Sequence, residues 1–215
     1  MLDVHPPHEP IRRWSDFFIH LTTITIGLLI ALSLEGCVEW RHHRHLVHEA
    51  EASLQTEIKA NANEVQGALD DVGKEQAVLK QDVAVLKKII ANPKVPNKET
   101  MTINFRIRSF GDVSWRTAQS TGALSYMPYE QAHAYSDIYD QQNEVYTAEE
   151  QAIRDTVVSV APFLNSKRGD ANPSGEEAVK VKDRIEILQG QLMLLENHIH
   201  ELDDDYKKFL ATHPD

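Results

Sequence analysis

AVKVKDRIEILQGQLMLLENHIHELDDDYKKF, residues 178 to 209, decides the fold. Ala178, Val181, Ile185, Leu188, Leu192, Leu195, Ile199, Leu202, Tyr206 and Phe209 alternate spacings of three and four across more than four heptads. That period lays one apolar stripe along a helix, and such a stripe must be buried against other helices. Pro173 and Ser174 stand just before it. Ser174 and Glu177 have the spacing of a capping box, in which side chains at the helix start satisfy backbone N–H groups that have no partner in the helix.

The same grammar recurs upstream. Val65, Leu69, Val72, Gln76, Leu79, Val83, Leu86 and Ile90 alternate spacings of four and three, and Asn92 and Pro93 end that helix. A third helix is expected from Pro128 to about Asn165. Tyr135, Ile138, Tyr139, Val145, Tyr146, Ile153, Val157 and Val160 share its broad apolar face, and Pro162 kinks or ends it. The polar stretch 165–173 reads as an exposed turn. Three long helices so joined predict an all-α protein, an up-down-up antiparallel bundle with coiled-coil packing. Sparse glycine and proline, nine each, agree with this and disfavour a sandwich or barrel.

The insert 93–127 is the least regular part. Met101, Ile103, Phe105 and Ile107 alternate with polar residues as in a half-buried strand. A lone strand lacks a ladder partner, so an irregular segment packed on the bundle is expected unless two protomers pair there. Ser114 to Ser120 reads as a short helix carrying Trp115, and Thr121-Gly122-Ala123-Leu124 turns the chain towards Pro128.

Residues 17–34, FFIHLTTITIGLLIALSL, contain no charged side chain. Eighteen residues at about 1.5 Å each give about 27 Å, close to the hydrocarbon thickness of a bilayer. The chain therefore divides into a short tail (1–16), a transmembrane helix (17–36), a juxtamembrane helical stalk (37–64) and the bundle domain (65–215). Glu35 stands where a cleaved signal needs small residues. Leu34-Glu35-Gly36-Cys37 resembles a lipoprotein signal apart from the glutamate, but the helix runs on beyond Cys37, so an uncleaved anchor is the reading adopted. Arg12 and Arg13 before the span balance Arg41 and Arg44 after it. A short tail kept inside with the bulk exported is the expected orientation, a single-pass protein of the bacterial inner membrane with its bundle in the periplasm.

Thr23, Gly27, Ala31 and Glu35 recur every four residues on one face of the span, the spacing that lets another helix approach closely. Beyond it, Trp40, Arg41, His42, His43, Arg44 and His45 read as a collar meeting lipid headgroups. The competing metal reading of these histidines needs ligands from elsewhere, and no second cluster of matching spacing exists.

Two stretches carry a likeness. ThrIleGlyLeuLeuIleAlaLeuSerLeuGlu followed by GluTrpArgHisHisArgHis, and Trp115-Arg-Thr-Ala-Gln-Ser-Thr-Gly122-Ala-Leu with Met127 and Tyr129, resemble a family of bacterial single-span membrane proteins of unknown function. The resemblance covers most of the chain and implies an amino-terminal anchor, a long helix and a helical domain, with no activity or ligand to carry over.

The formal net charge of −11 sets nucleic acid aside, because most of this surface would repel a phosphate backbone. The single cysteine, Cys37, abuts the bilayer, and the sequence holds neither a phosphate-cradling glycine loop nor a metalloprotease helix motif. No enzyme, resident metal or cofactor is expected. The primary expectation is a non-catalytic scaffold or accessory subunit at the bacterial envelope, contacting membrane lipids and forming a homo-oligomer or joining a larger membrane complex. The alternative is a sensor-like bundle that binds a ligand in a groove shaped by Arg106, Arg108, Trp115, Arg116, Tyr126 and Tyr129, with an arginine meeting an anion.

Overall fold

The computed structural model describes residues 14–93, 108–164 and 174–213, except the side chains of 160–164. The fold is all-helical. Among the described residues, helix α1 runs Trp14–Ala91, α2 Val113–Ser120, α3 Tyr129–Leu164 and α4 Gly175–Thr212, with a 3-10 turn at Ala123–Tyr126. The expectations for residues 101–107, the loop 165–173 and the tail before Trp14 lie outside the described residues.

By contacts the chain divides into two units, Met1–Glu49 and Ala50–Asp215. In the first, α1 is continuous through Glu35-Gly36-Cys37, and every residue from Trp14 to His42 is exposed. This part of α1 is long and apolar enough to cross a membrane. The Thr23 hydroxyl bonds back to Ile19 O at 2.9 Å, and a Cβ at Gly27 would meet nothing within 4 Å, so that face is open to a neighbour. In the collar the Arg44 guanidinium lies over the Trp40 ring at 4.9 Å, and His45 pairs with Glu49 at 3.2 Å. Among the described residues no three His, Cys, Asp or Glu side chains are placed to hold a metal.

The second unit is the bundle. All ten residues of the 178–209 stripe are buried, and Ser174 and Glu177 form the capping box in full. Along α1 the buried set begins at Leu54 and runs Ile58, Asn61, Val65, Ala68, Val72, Glu75, Leu79, Asp82, Val83, Val85, Leu86 and Ile89. Three of these positions are polar. Leu69, Gln76 and Ile90, expected in the stripe, are only half-buried, and their neighbours Ala68, Glu75 and Ile89 take the core places.

Helix α3 changes character along its length. Tyr135, Ile138, Tyr139 and Val145 are buried as expected, but Tyr146, Ile153 and Val157 are exposed. The core positions of that half are taken by Ala148, Glu149, Ala152 and Ser159. Near its end, Pro162 has no N–H to offer Val158 O four residues back. Arg184 Nη1 of α4 donates to that carbonyl instead, at 2.8 Å.

The alternation of chain direction expected from the sequence does not hold. Tyr139 meets Glu57 and Gln142 meets Asn61, so residue numbers rise together and α3 runs parallel to α1. Helix α4 opposes α3: Phe209 packs on Tyr135, Gln141 bonds to Glu201, and Arg184 reaches Val158. Residues 108 to 114 run back along α1 before α3 begins, Arg108 beside Asp71, Gly111 beside Asn61 and Ser114 beside Glu57.

Candidate functional site

The stretch Arg108–Asp112 is fixed to the bundle by side chains of α1. Arg108 donates through Nε to Asp71 at 2.9 Å and through Nη1 to Glu64 at 2.7 Å. The guanidinium beside Asp71 holds that carboxyl below its ordinary value. Arg108 lies across Gly67, where a Cβ would stand only 2.5 Å from Nη1. Next, Asn61 treats Gly111 as a peptide partner: its Nδ2 donates to Gly111 O at 2.8 Å, and its Oδ1 accepts the Gly111 N–H at 2.7 Å. Gln142 Nε2 donates to the same carbonyl at 3.0 Å, and Gln142 Oε1 accepts from Asn61 and from the Tyr206 hydroxyl at 2.9 Å. Burial raises the Tyr206 pKa, which keeps its phenol a donor. Buried polar groups are costly unless paired, and this set pairs three helices with one backbone turn.

Helix α2 is docked by the same logic. Its N-cap residue Asp112 makes no side-chain capping bond. Glu57 of α1 fills that role from outside, accepting the Ser114 N–H at 2.9 Å through Oε2 and the Tyr139 hydroxyl at 2.7 Å through Oε1. Burial raises the Tyr139 pKa, and the neighbouring Glu57 raises it further. Trp115 then lies flat on Tyr139, ring centroids 4.9 Å apart and planes within 8°. Gly122, at φ 75°, takes the left-handed conformation that glycine adopts freely and ends this helical turn.

Between α2 and α3 these constraints leave a groove of about 600 Å³. Asp112, Trp115 and Arg116 form one wall with Ser109 and Phe110. The other is a single face of α3: Tyr139, Asp140, Gln142, Asn143, Tyr146 and Glu149. Arg116 is paired with Asp112 at 3.0 Å. Glu149 is only 5% exposed and has no hydrogen-bond or ion-pair partner among the described residues. Burial pushes its carboxyl up to about 8, so it is mostly protonated at neutral pH.

Of the residues expected to shape a ligand groove, Trp115 and Arg116 line this one. Arg108 is committed to α1, Tyr126 and Tyr129 are exposed and outside the lining, and Arg106 lies outside the described residues. Glu57, Asn61, Gln142 and Glu149 were not anticipated. A signal existed: Tyr135, Ile138, Gln142, Val145, Glu149 and Ala152 keep three-four spacing, so Gln142 and Glu149 occupy core positions. No family model, curated protein or solved structure matches this chain.

Proposed function

We propose that this is a non-catalytic, membrane-anchored binding protein whose helical bundle takes a ligand in the groove between α2 and α3. The observation that carries the reading is Glu149, a carboxyl only 5% exposed on the groove wall with no hydrogen-bond or ion-pair partner among the described residues. Leaving such a group unpaired costs stability, and a ligand that satisfies it recovers that cost. The Trp115–Tyr139 stack supplies a flat apolar surface, and the Asn61–Gln142–Tyr206 set holds the walls in place before anything binds. The uncharged helix 17–34 supports a single-pass anchor, and the inner-membrane, bundle-in-periplasm arrangement is part of the proposal. Two measurements test it. Full-length protein should resist carbonate extraction from membranes. In mild detergent, thermal scans against small aromatic cations, anions and neutral compounds should show stabilisation by one class, abolished by Trp115→Ala. No stabilisation by any class would overturn the binding reading.

The scaffold reading remains a second proposal, because Val179, Ile187 and Leu194 leave an exposed apolar strip along one side of α4. Co-purification of a defined partner in stoichiometric amount would support it, and a monodisperse monomer in detergent would overturn it.

A further inference from the structure

The groove wall carries three carboxyl groups, Asp112, Asp140 and Glu149, against one guanidinium, Arg116, and Arg116 is spent on Asp112. Among the described residues, an anion entering here would face Asp140 with no unpaired cation on the wall. Arg108, the next basic group along the chain, is held by Glu64 and Asp71. A cation meets the opposite situation: unpaired acceptor oxygens at Glu149 and the rings of Trp115, Tyr139 and Tyr146. The faces of such rings carry negative potential and attract ammonium groups, most strongly where water is excluded. A groove of about 600 Å³ is in the range that encloses a small organic molecule.

We propose that the groove binds a small organic ammonium ion, an amine on an apolar or aromatic body, with Glu149 as its counter-ion and the Trp115, Tyr139 and Tyr146 rings as its walls. This rests on the groove being a binding site and adds the chemical class of its ligand. An N–H-bearing ammonium fits better than a quaternary one, because the Glu149 carboxylate offers acceptors that only N–H donors fill. Binding exchanges one proton. The Glu149 acid gives up its proton to the solvent buffer, and the resulting carboxylate accepts from the ammonium, whose own protons stay in place. The charged and titratable groups facing this exchange are Asp112 and Arg116 from α2 and Tyr139, Asp140 and Tyr146 from α3. Arg108, Glu64 and Asp71, on the connecting stretch and α1, stay paired with one another.

The test uses full-length protein in mild detergent carrying Trp14→Phe and Trp40→Phe, so that Trp115 is the one remaining tryptophan. Phenethylammonium, phenylacetate and phenylethanol share a body and differ in charge. Each is titrated by calorimetry in two buffers of different ionisation heat, with Trp115 emission recorded alongside. Phenethylammonium should bind with release of close to one proton at about pH 6.5 and much less at about pH 9. Glu149→Gln, checked for folding by thermal scan, should abolish the proton release and weaken binding by about tenfold or more. Phenylacetate or phenylethanol binding at least as tightly as phenethylammonium would overturn the ammonium assignment and leave the groove reading intact. Silence of all three probes would overturn both, and binding indifferent to Glu149→Gln would remove the counter-ion.

Discussion

Glu57→Gln replaces the carboxylate that ties α1 to both α2 and α3 by an amide of the same shape. Each of its bonds, to Ser114 N–H at 2.9 Å and to the Tyr139 hydroxyl at 2.7 Å, is charge-assisted and contributes about 1.5–3 kcal/mol. Glutamine can keep both contacts, its Oε1 accepting the Ser114 N–H and its Nε2 donating to the Tyr139 hydroxyl oxygen, but both become neutral bonds of about 0.5–1.5 kcal/mol each. The summed loss is about 2–3 kcal/mol. Helix α2 has no substitute, because Asp112 makes no capping bond. The cost should therefore appear as local opening of α2 while the α3–α4 pair is untouched. Hydrogen exchange on full-length protein in detergent reads this directly. Peptides over 109–120 should exchange at least about 30-fold faster, the factor that corresponds to about 2 kcal/mol, while peptides over 185–202 keep their protection. Unchanged exchange over 109–120 would refute Glu57 as the anchor of α2.

Leu192→Ala and Leu79→Ala each remove a side chain with no exposed surface and should each cost about 2–5 kcal/mol, read as a lowered thermal midpoint; two unchanged midpoints would mean these stripes are not core. Gly67→Ala displaces only the flexible end of Arg108, whose exposed ion pairs contribute little, and gains helix propensity of up to about 1 kcal/mol. Its midpoint should not fall, and a fall would show that the Arg108 bridge carries weight. For Glu149 the folded-state pKa of about 8 lies above the ordinary 4.5, so its contribution is fully present below about 4.5 and is lost as pH rises to about 8. Glu149→Gln should therefore gain stability relative to the parent across that window and hold a constant advantage above it; parallel pH curves would refute the buried acid.

Where the apolar pattern was strict, the sequence sufficed. All ten residues of the stripe from Ala178 to Phe209 are buried, because the face that α4 packs inward consists of side chains that declare themselves apolar. Along helix α1 the expected stripe is one position off at Ala68, Glu75 and Ile89: Leu69 is the larger apolar neighbour of Ala68, Gln76 is the uncharged neighbour of Glu75, and Ile89 and Ile90 are the same residue type. In the second half of α3 size misled: Tyr146, Ile153 and Val157 look like core, yet Ala148, Ala152 and Ser159 are what this face can bury. The groove was half legible. Trp115 and Arg116 stand out by type, whereas Gln142 and Glu149 show only as polar residues at core positions of the α3 repeat and Asn61 looks like an ordinary surface residue. The direction of α3 depends on the chain's return between α1 and α3, which no local periodicity records.

The Asn61–Gly111–Gln142–Tyr206 set has a mechanical consequence. Its five hydrogen bonds join α1, α3 and α4 at one level of the bundle, and together they are worth about 2.5–7.5 kcal/mol at ordinary net values. Sliding α1 by one heptad, about 10 Å, would keep its repeat in step with its neighbours but strand Asn61 and Gln142 beside apolar side chains. The apolar stripes alone would tolerate that slip; the polar level forbids it. Within the bundle, axial displacement of α1 is blocked as a mode of motion.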